Sequence, residues 1–194
     1  VDVYDSPDGK RYVRIVDYKT GEKKFSLDNI SRGLDIQLLV YLFSVWKNGL
    51  PDKGGREILP AGAVYFAAKT KAGLSDSISD ADGNRRDIIE NIGHSGVLLD
   101  DEEILRAMDG ELSGQFAPVK VEKGTVVAAK DSFLVSAENF GEIYNTLAKA
   151  LTDIADEIRS GTADAKPKKR ENGTLPCLYC DYAPVCRSAK HGTE

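Results

Sequence analysis

Polar and apolar residues alternate along Arg11-Tyr-Val-Arg-Ile-Val-Asp-Tyr-Lys19, a run rich in β-branched and aromatic side chains, and this period of two predicts a strand. The preceding Ser6-Pro7-Asp8-Gly9 is a turn signature, so residues 1–4 and 12–19 should form an antiparallel hairpin. With a two-residue turn at Asp8-Gly9, Pro7 faces Lys10 and Asp2 faces Ile15. The period then changes. Leu34, Leu38, Tyr41, Leu42 and Val45 recur at helical spacing, with Asp28, Asn29 and Ser31 as available N-caps and Asn48-Gly49 and Pro51 as a stop. This helix should pack on the sheet. The apolar run 61–69, behind Pro60, has the pattern of a buried central strand. Residues 70–87 read as polar and irregular, Gly93-His94-Ser95-Gly96 as a turn, 100–108 as a short helix and 130–135 as a short strand before a cap at Ser136. Ile143, Leu147, Leu151, Ile154 and Ile158 then mark one face of a long amphipathic helix that stops at Gly161.

The 194 residues, 41% hydrophobic and 29% charged, fit one globular domain with an appendage and exclude disordered and collagen-like classes. No apolar run approaches the roughly 18 residues that a membrane span requires, and no signal peptide is recognisable, so a cytoplasmic protein that makes no membrane contact is expected. A net charge of −5 gives no general attraction to nucleic acid; a phosphate partner would need a local basic patch. Lys166-Pro-Lys-Lys-Arg170 is such a run, and it reads either as a solvated linker or, through Lys168, Lys169 and Arg170, as a contact for DNA phosphates. The expected division is a core over 1–163 and a basic linker with a Cys-rich tail over 164–194.

Three groups of residues carry candidate chemistry. Asp17 and Lys19 lie two apart on a strand and share a face, while Tyr18 points away. A carboxylate there can bind a hard cation such as Mg²⁺, and a neighbouring ammonium can orient water or steady developing charge; the same pattern also suits a plain surface ion pair. Gln37 and Tyr41, four apart, stack on one helix face. Cys177, Cys180 and Cys186 form a C-x2-C-x5-C array whose spacing suits zinc or an iron–sulfur cluster better than a disulfide framework, although one ligand is missing. His94 reads as a solvated loop residue, Asp100 to Glu103 as carboxylates favoured by a helix N-terminus, and Trp46 as core.

In this order, Asp17-Tyr18-Lys19, Gln37-x-x-x-Tyr41 and the terminal cysteines resemble the RecB-type nuclease domains of the PD-(D/E)XK superfamily. The longer matches, Ile15 to Gly21, Gly33 to Leu42, Pro60 to Phe66 and Cys177 to Cys186, are similar to the nuclease domains of AddB-type helicase–nuclease proteins. The resemblance implies an α/β, restriction-endonuclease-like fold: a mixed central sheet flanked by helices, with a small Cys-rich tail. It also implies an exonuclease that cuts DNA with Mg²⁺ during double-strand break repair, beside an AddA-type partner that feeds it single strands. Asp17 would bind metal, Lys19 would assist the attacking water, and Gln37 and Tyr41 would shape the site. Cys177, Cys180 and Cys186 would join a fourth, distant Cys around a [4Fe–4S] cluster. Compact CRISPR-associated exonucleases share the motifs, but the 140 positions from Gln37 to Cys177 favour the AddB type. A third reading is a non-catalytic module that binds DNA or a partner, with a zinc-stabilised tail. In AddB-type domains Val1-Asp2 matches the last two residues of the first carboxylate motif, and the hairpin pairing sets Asp2 away from Asp17, so the metal carboxylate is expected before Val1, with Asp2 as a second candidate ligand through a bulge or longer turn. Without a fourth Cys and with that carboxylate displaced, the chain is expected to be an excised piece with little activity of its own.

Overall fold

A computed structural model describes residues 1–49, 55–68 and 93–186. Within them the chain divides into two compact units, Val1–Phe25 with Gln37–Tyr144, and Ser26–Ile36 with Asn145–Glu194. The predicted irregular stretch 70–87 and the helix stop at Pro51 lie outside the described residues.

The first unit is built on a five-stranded mixed sheet, and its edge hairpin sets the register. Strand β1 (Asp2–Asp5) pairs antiparallel with β2 (Arg11–Lys19). The turn holds three residues, because Ser6 and Lys10 still pair and Gly9 takes the left-handed conformation (φ 86°) that closes such a loop. Asp2 therefore faces Arg14 and not Ile15. β2 runs parallel to the central β3 (Ile58–Ala67), with Asp17 beside Tyr65 and an extra residue of β3 accommodated near Val13 and Arg14. β3 pairs antiparallel with β4 (Ser95–Leu99), and β4 runs parallel to β7 (Phe133–Val135).

Each face of the sheet has its own cover. Helix α2 (Gln37–Asn48) packs on β2 and β3 through Leu38, Leu39, Leu42 and Phe43, over the face that carries Val13, Ile15, Ala63 and Tyr65. On the opposite face Val64 and Leu98 join Leu105, Leu112, Ala117 and Val119 in one buried cluster. Leu105 belongs to α3 (Glu102–Met108), whose N-cap Asp101 accepts from the backbone N–H groups of Glu103 and Ile104. Val119 opens a two-stranded ribbon, β5 (Val119–Glu122) and β6 (Thr125–Ala128), which turns at Lys123-Gly124 with positive φ at both residues.

Other sequence expectations change as well. The helix drawn through Leu34 is two helices, α1 (Leu27–Ser31) and α2, because Gly33 (φ 76°) and Asp35 (φ 55°) break the chain between them; the cap of α1 is Ser26. The expected Gly93 to Gly96 turn is in part the start of β4, whose five residues are all buried. Gly96 is required there by contact, since a Cβ would overlap the Ala63 carbonyl oxygen of β3. Trp46 is half-buried rather than core, edge-on to Tyr144 with the Lys47 ammonium 3.9 Å from its ring centroid.

The second unit contains α1 and the later part of α4 (Ala137–Arg159), a helix capped by the Ser136 hydroxyl accepting from the Asn139 N–H and ended at Gly161, where the Thr162 N–H reaches the Glu157 carbonyl. Phe140, Ile143, Leu147 and Ala150 on that helix are buried, whereas Ile158 is 72% exposed.

His94 departs furthest from its expected role. It is 9% exposed, its ring stacks on Phe66 at 3.7 Å, and desolvation lowers its pKa to about 4. The folded protein thus holds a neutral imidazole where the unfolded chain, at the ordinary 6.5, takes up a proton first. Stability should therefore fall as pH drops from about 6.5 toward about 4. Thermal unfolding across that range should show a smaller fall in Tm for His94→Phe, which keeps the stack and cannot titrate, than for the wild type.

Candidate active site

Strand alternation places Asp17 and Lys19 on the α2-covered face of the sheet, at the C-terminal end of β2. The Lys19 ammonium lies 2.7 Å from Asp17 Oδ2, with both side chains partly buried. That oxygen is itself buried and, despite the short ion pair, receives no hydrogen bond of good direction among the described residues. It is a hard, anionic donor with coordination capacity left over, which fits Mg²⁺, an ion that takes one or two carboxylates and keeps several waters. Among the described residues no three His, Cys, Asp or Glu groups surround one ion position.

The flanking residues pair locally. Gln37 opens α2 and donates from Nε2 to the Tyr41 hydroxyl at 2.7 Å, the i to i+4 contact its spacing predicts, and both side chains are exposed. Asp2 does not join Asp17. It faces Arg14 on the opposite side of β2, where it accepts from the guanidinium Nε and Nη2 while Nη1 donates to the Phe116 carbonyl at 2.6 Å. A carboxylate engaged in this way, on the other face of the sheet, is placed away from any ion held by Asp17.

In the second unit the three cysteines are free thiols, and together with Ala165, Lys166, Pro167 and Pro176 they line one cavity of about 320 Å³. Cys177 lies in a 3₁₀ turn, Pro176–Tyr179, opened by the proline. The thiols line a shared space without converging on one ion position among the described residues, and their donor chemistry suits zinc and an iron–sulfur cluster alike. The basic run has split roles. Arg170 ion-pairs with Asp35 at 2.5 Å, Asn29 donates to the same carboxylate and accepts from the Glu171 N–H, and Arg32 donates to the Lys169 carbonyl. Asp35 is 13% exposed, so Arg170 acts as a strut of this unit rather than as a free phosphate contact. Lys168 and Lys169 remain exposed.

Sequence reasoning missed Asn29 and Asp35. The available signal was the pair Gly33 and Asp35, both tolerant of positive φ, which marks a turn needing side-chain support.

Known proteins resemble this chain along nearly its whole length. The family model described as the PD-(D/E)XK nuclease superfamily matches residues 1–187. Similar proteins include ATP-dependent helicase/deoxyribonuclease subunits of the B type: 32% identity over 96% of this chain in Acetivibrio thermocellus and in Clostridium tetani, and 30% over 93% in Clostridium botulinum. The chain spans 16% of the length of each of these relatives.

Removing Asp35 should release the segment that Arg170 anchors. Asp35→Ala is expected to cost about 1–2 kcal/mol and to speed tryptic cleavage after Lys168, Lys169 and Arg170 severalfold, read by limited proteolysis at a temperature where the fold persists.

Proposed function

This chain belongs to the PD-(D/E)XK nuclease superfamily, and from that premise we propose that Asp17 and Lys19 are the centre of a Mg²⁺-dependent DNA exonuclease domain, part of an AddB-type helicase–nuclease protein. The observation that carries this reading is the buried, incompletely coordinated Asp17 Oδ2 with the Lys19 ammonium 2.7 Å away.

Asp17 would hold Mg²⁺, which when bound supplies Lewis acidity and a bound water of lowered pKa. Lys19 would orient the attacking water and steady negative charge on the phosphate oxygens as a P–O bond to water forms and the ester P–O bond breaks. Gln37 and Tyr41, exposed at the start of α2, would steer the strand toward that carboxylate. Lys168 and Lys169 would add phosphate contacts that take no part in the chemistry. Cys177, Cys180 and Cys186, with a fourth ligand from elsewhere in the protein, would hold a [4Fe–4S] cluster that braces the tail. The resemblance further supports an AddA-type partner and a cytoplasmic role in processing double-strand breaks, and among the described residues no helix is long and apolar enough to cross a membrane.

In the full-length protein with its partner, Asp17→Ala and Lys19→Ala should each lower Mg²⁺-dependent DNA cleavage by about 10²-fold or more with ATP hydrolysis intact; cleavage within threefold of wild type would overturn the assignment. Anaerobic purification of the same protein should give visible iron–sulfur absorbance with about four irons and four sulfides per chain, and Cys180→Ser should lose both. Zinc in place of iron would favour the zinc-stabilised binding module.

A further inference from the structure

We propose that Tyr65 is a positioning residue of the Asp17–Lys19 site, its buried ring holding the Lys19 ammonium beside Asp17 through a cation–π contact. What the contact does for catalysis rests on the nuclease reading; the contact itself rests on the packing of β2, β3 and β4.

Tyr65 occupies the middle of a row that crosses three strands. Parallel pairing sets it beside Asp17 of β2, antiparallel pairing sets it beside Ser95 of β4, and all three side chains lie on one face of the sheet. Tyr65 is 2% exposed and Ser95 is buried with it. The Lys19 ammonium lies 5.7 Å from the ring centroid and 2.7 Å from Asp17 Oδ2, so carboxylate, ammonium and aromatic surface form one contiguous group. The Lys23 ammonium meets the same ring at 5.1 Å, and the Ser95 hydroxyl donates to the Lys23 carbonyl, which ties the segment that follows Lys19 to β4.

Lys19 needs such a support. A lysine carries a point charge on a flexible four-carbon stem, so a single ion pair leaves its ammonium free to swing about the carboxylate. The Lys19 side chain is partly exposed, and water competes for it. An aromatic face attracts the charge without offering a lone pair, so it restrains the ammonium and leaves N–H groups available for a water molecule or a phosphate oxygen. An ion held by Asp17 would divide the charge of that carboxylate with Lys19, whereas the ring is a contact on which the ion does not draw. Tyr65 cannot follow a moving ammonium, because β3 is paired on both sides and the ring is buried between its neighbours. A fixed ring therefore fixes the cation.

The test changes the charge distribution of the ring while keeping its shape. In the full-length protein with its partner, Tyr65 is replaced by phenylalanine, by trifluorophenylalanine or by leucine, each with Lys19 present and with Lys19→Ala. Fluorine withdraws electron density from the ring face and weakens its hold on a cation. Tyr65→Phe keeps that face and should retain kcat within about threefold. The trifluorophenylalanine variant and Tyr65→Leu should each lower kcat about tenfold relative to Tyr65→Phe, the loss of one partly desolvated cation–π contact, with KM within about twofold. Neither should cost anything further in Lys19→Ala, where no ammonium is left to hold. Without Mg²⁺ and DNA, acylation of the Lys19 amine, read by mass spectrometry, should quicken severalfold in the trifluorophenylalanine variant relative to Tyr65→Phe. Equal kcat in those two variants would overturn the inference, as would equal acylation. A loss in Tyr65→Leu that persists in Lys19→Ala would overturn it too, since packing or a contact with Lys23 alone behaves so. Lost cleavage in Lys19→Ala beside unchanged cleavage in the trifluorophenylalanine variant refutes only the role of Tyr65, whereas retained cleavage in Lys19→Ala refutes the nuclease reading and the positioning role with it.

Discussion

Parallel strands cannot be joined by a tight turn, so the pairing of β2 with β3 obliges the chain between Lys19 and Ile58 to cross back over the sheet. That crossing contains α2, and the placement of every residue in the candidate site follows from it. Asp17 and Lys19 sit where β2 ends, Tyr65 lies beside Asp17 in the matched register, and Gln37 begins the helix that covers the same face. The carboxylate is largely withdrawn from water by this packing and stands at the end of β2.

The two faces of the sheet are used differently, and Arg14 marks the contrast. On the face away from α2, Arg14 is buried and satisfied by Asp2 and the Phe116 carbonyl, a closed arrangement that joins the edge hairpin to the loop before β5. On the α2 side, the ion pair of Asp17 and Lys19 leaves a buried oxygen with no hydrogen bond among the described residues. Both are acid–base pairs on adjacent stretches of one strand. The first consumes the hydrogen-bonding capacity of its members, as a structural pair should, and the second holds some in reserve, as a site that receives an ion or a substrate must.

The second unit repeats that economy of polar groups. Asn29 and Asp35, both largely buried, bind the segment that leads to the cysteines through Arg170 and Glu171, and the thiols beyond them surround one cavity. Anchoring a loop-rich tail by a few directional contacts suits a segment too small to build an apolar core of its own, and it is the circumstance in which metal ligation contributes most to folding.

Local pattern alone determined much of this protein. The period-two run through Ile15 and Val16 gave β2, the turn residues gave the hairpin, the apolar run behind Pro60 gave the central strand, and the spacing of Ile143 and Leu147 gave the long helix. Asp17 with Lys19 and Gln37 with Tyr41 were legible because strand and helix periods fix which neighbours share a face, and the three cysteines because of their C-x2-C-x5-C spacing. Tertiary structure decided what period does not encode. Whether Gly93 to Gly96 is a turn or the head of a buried strand depends on the backbone of β3 lying against Gly96, a contact between segments far apart in the chain. His94 is neutral because Phe66 covers it, Asp2 belongs to Arg14 because the turn holds three residues rather than two, and Arg170 is a strut because Asp35 is folded beneath it. In each case a polar side chain took its role from a partner brought in by long-range packing, and only the folded chain specifies that partner.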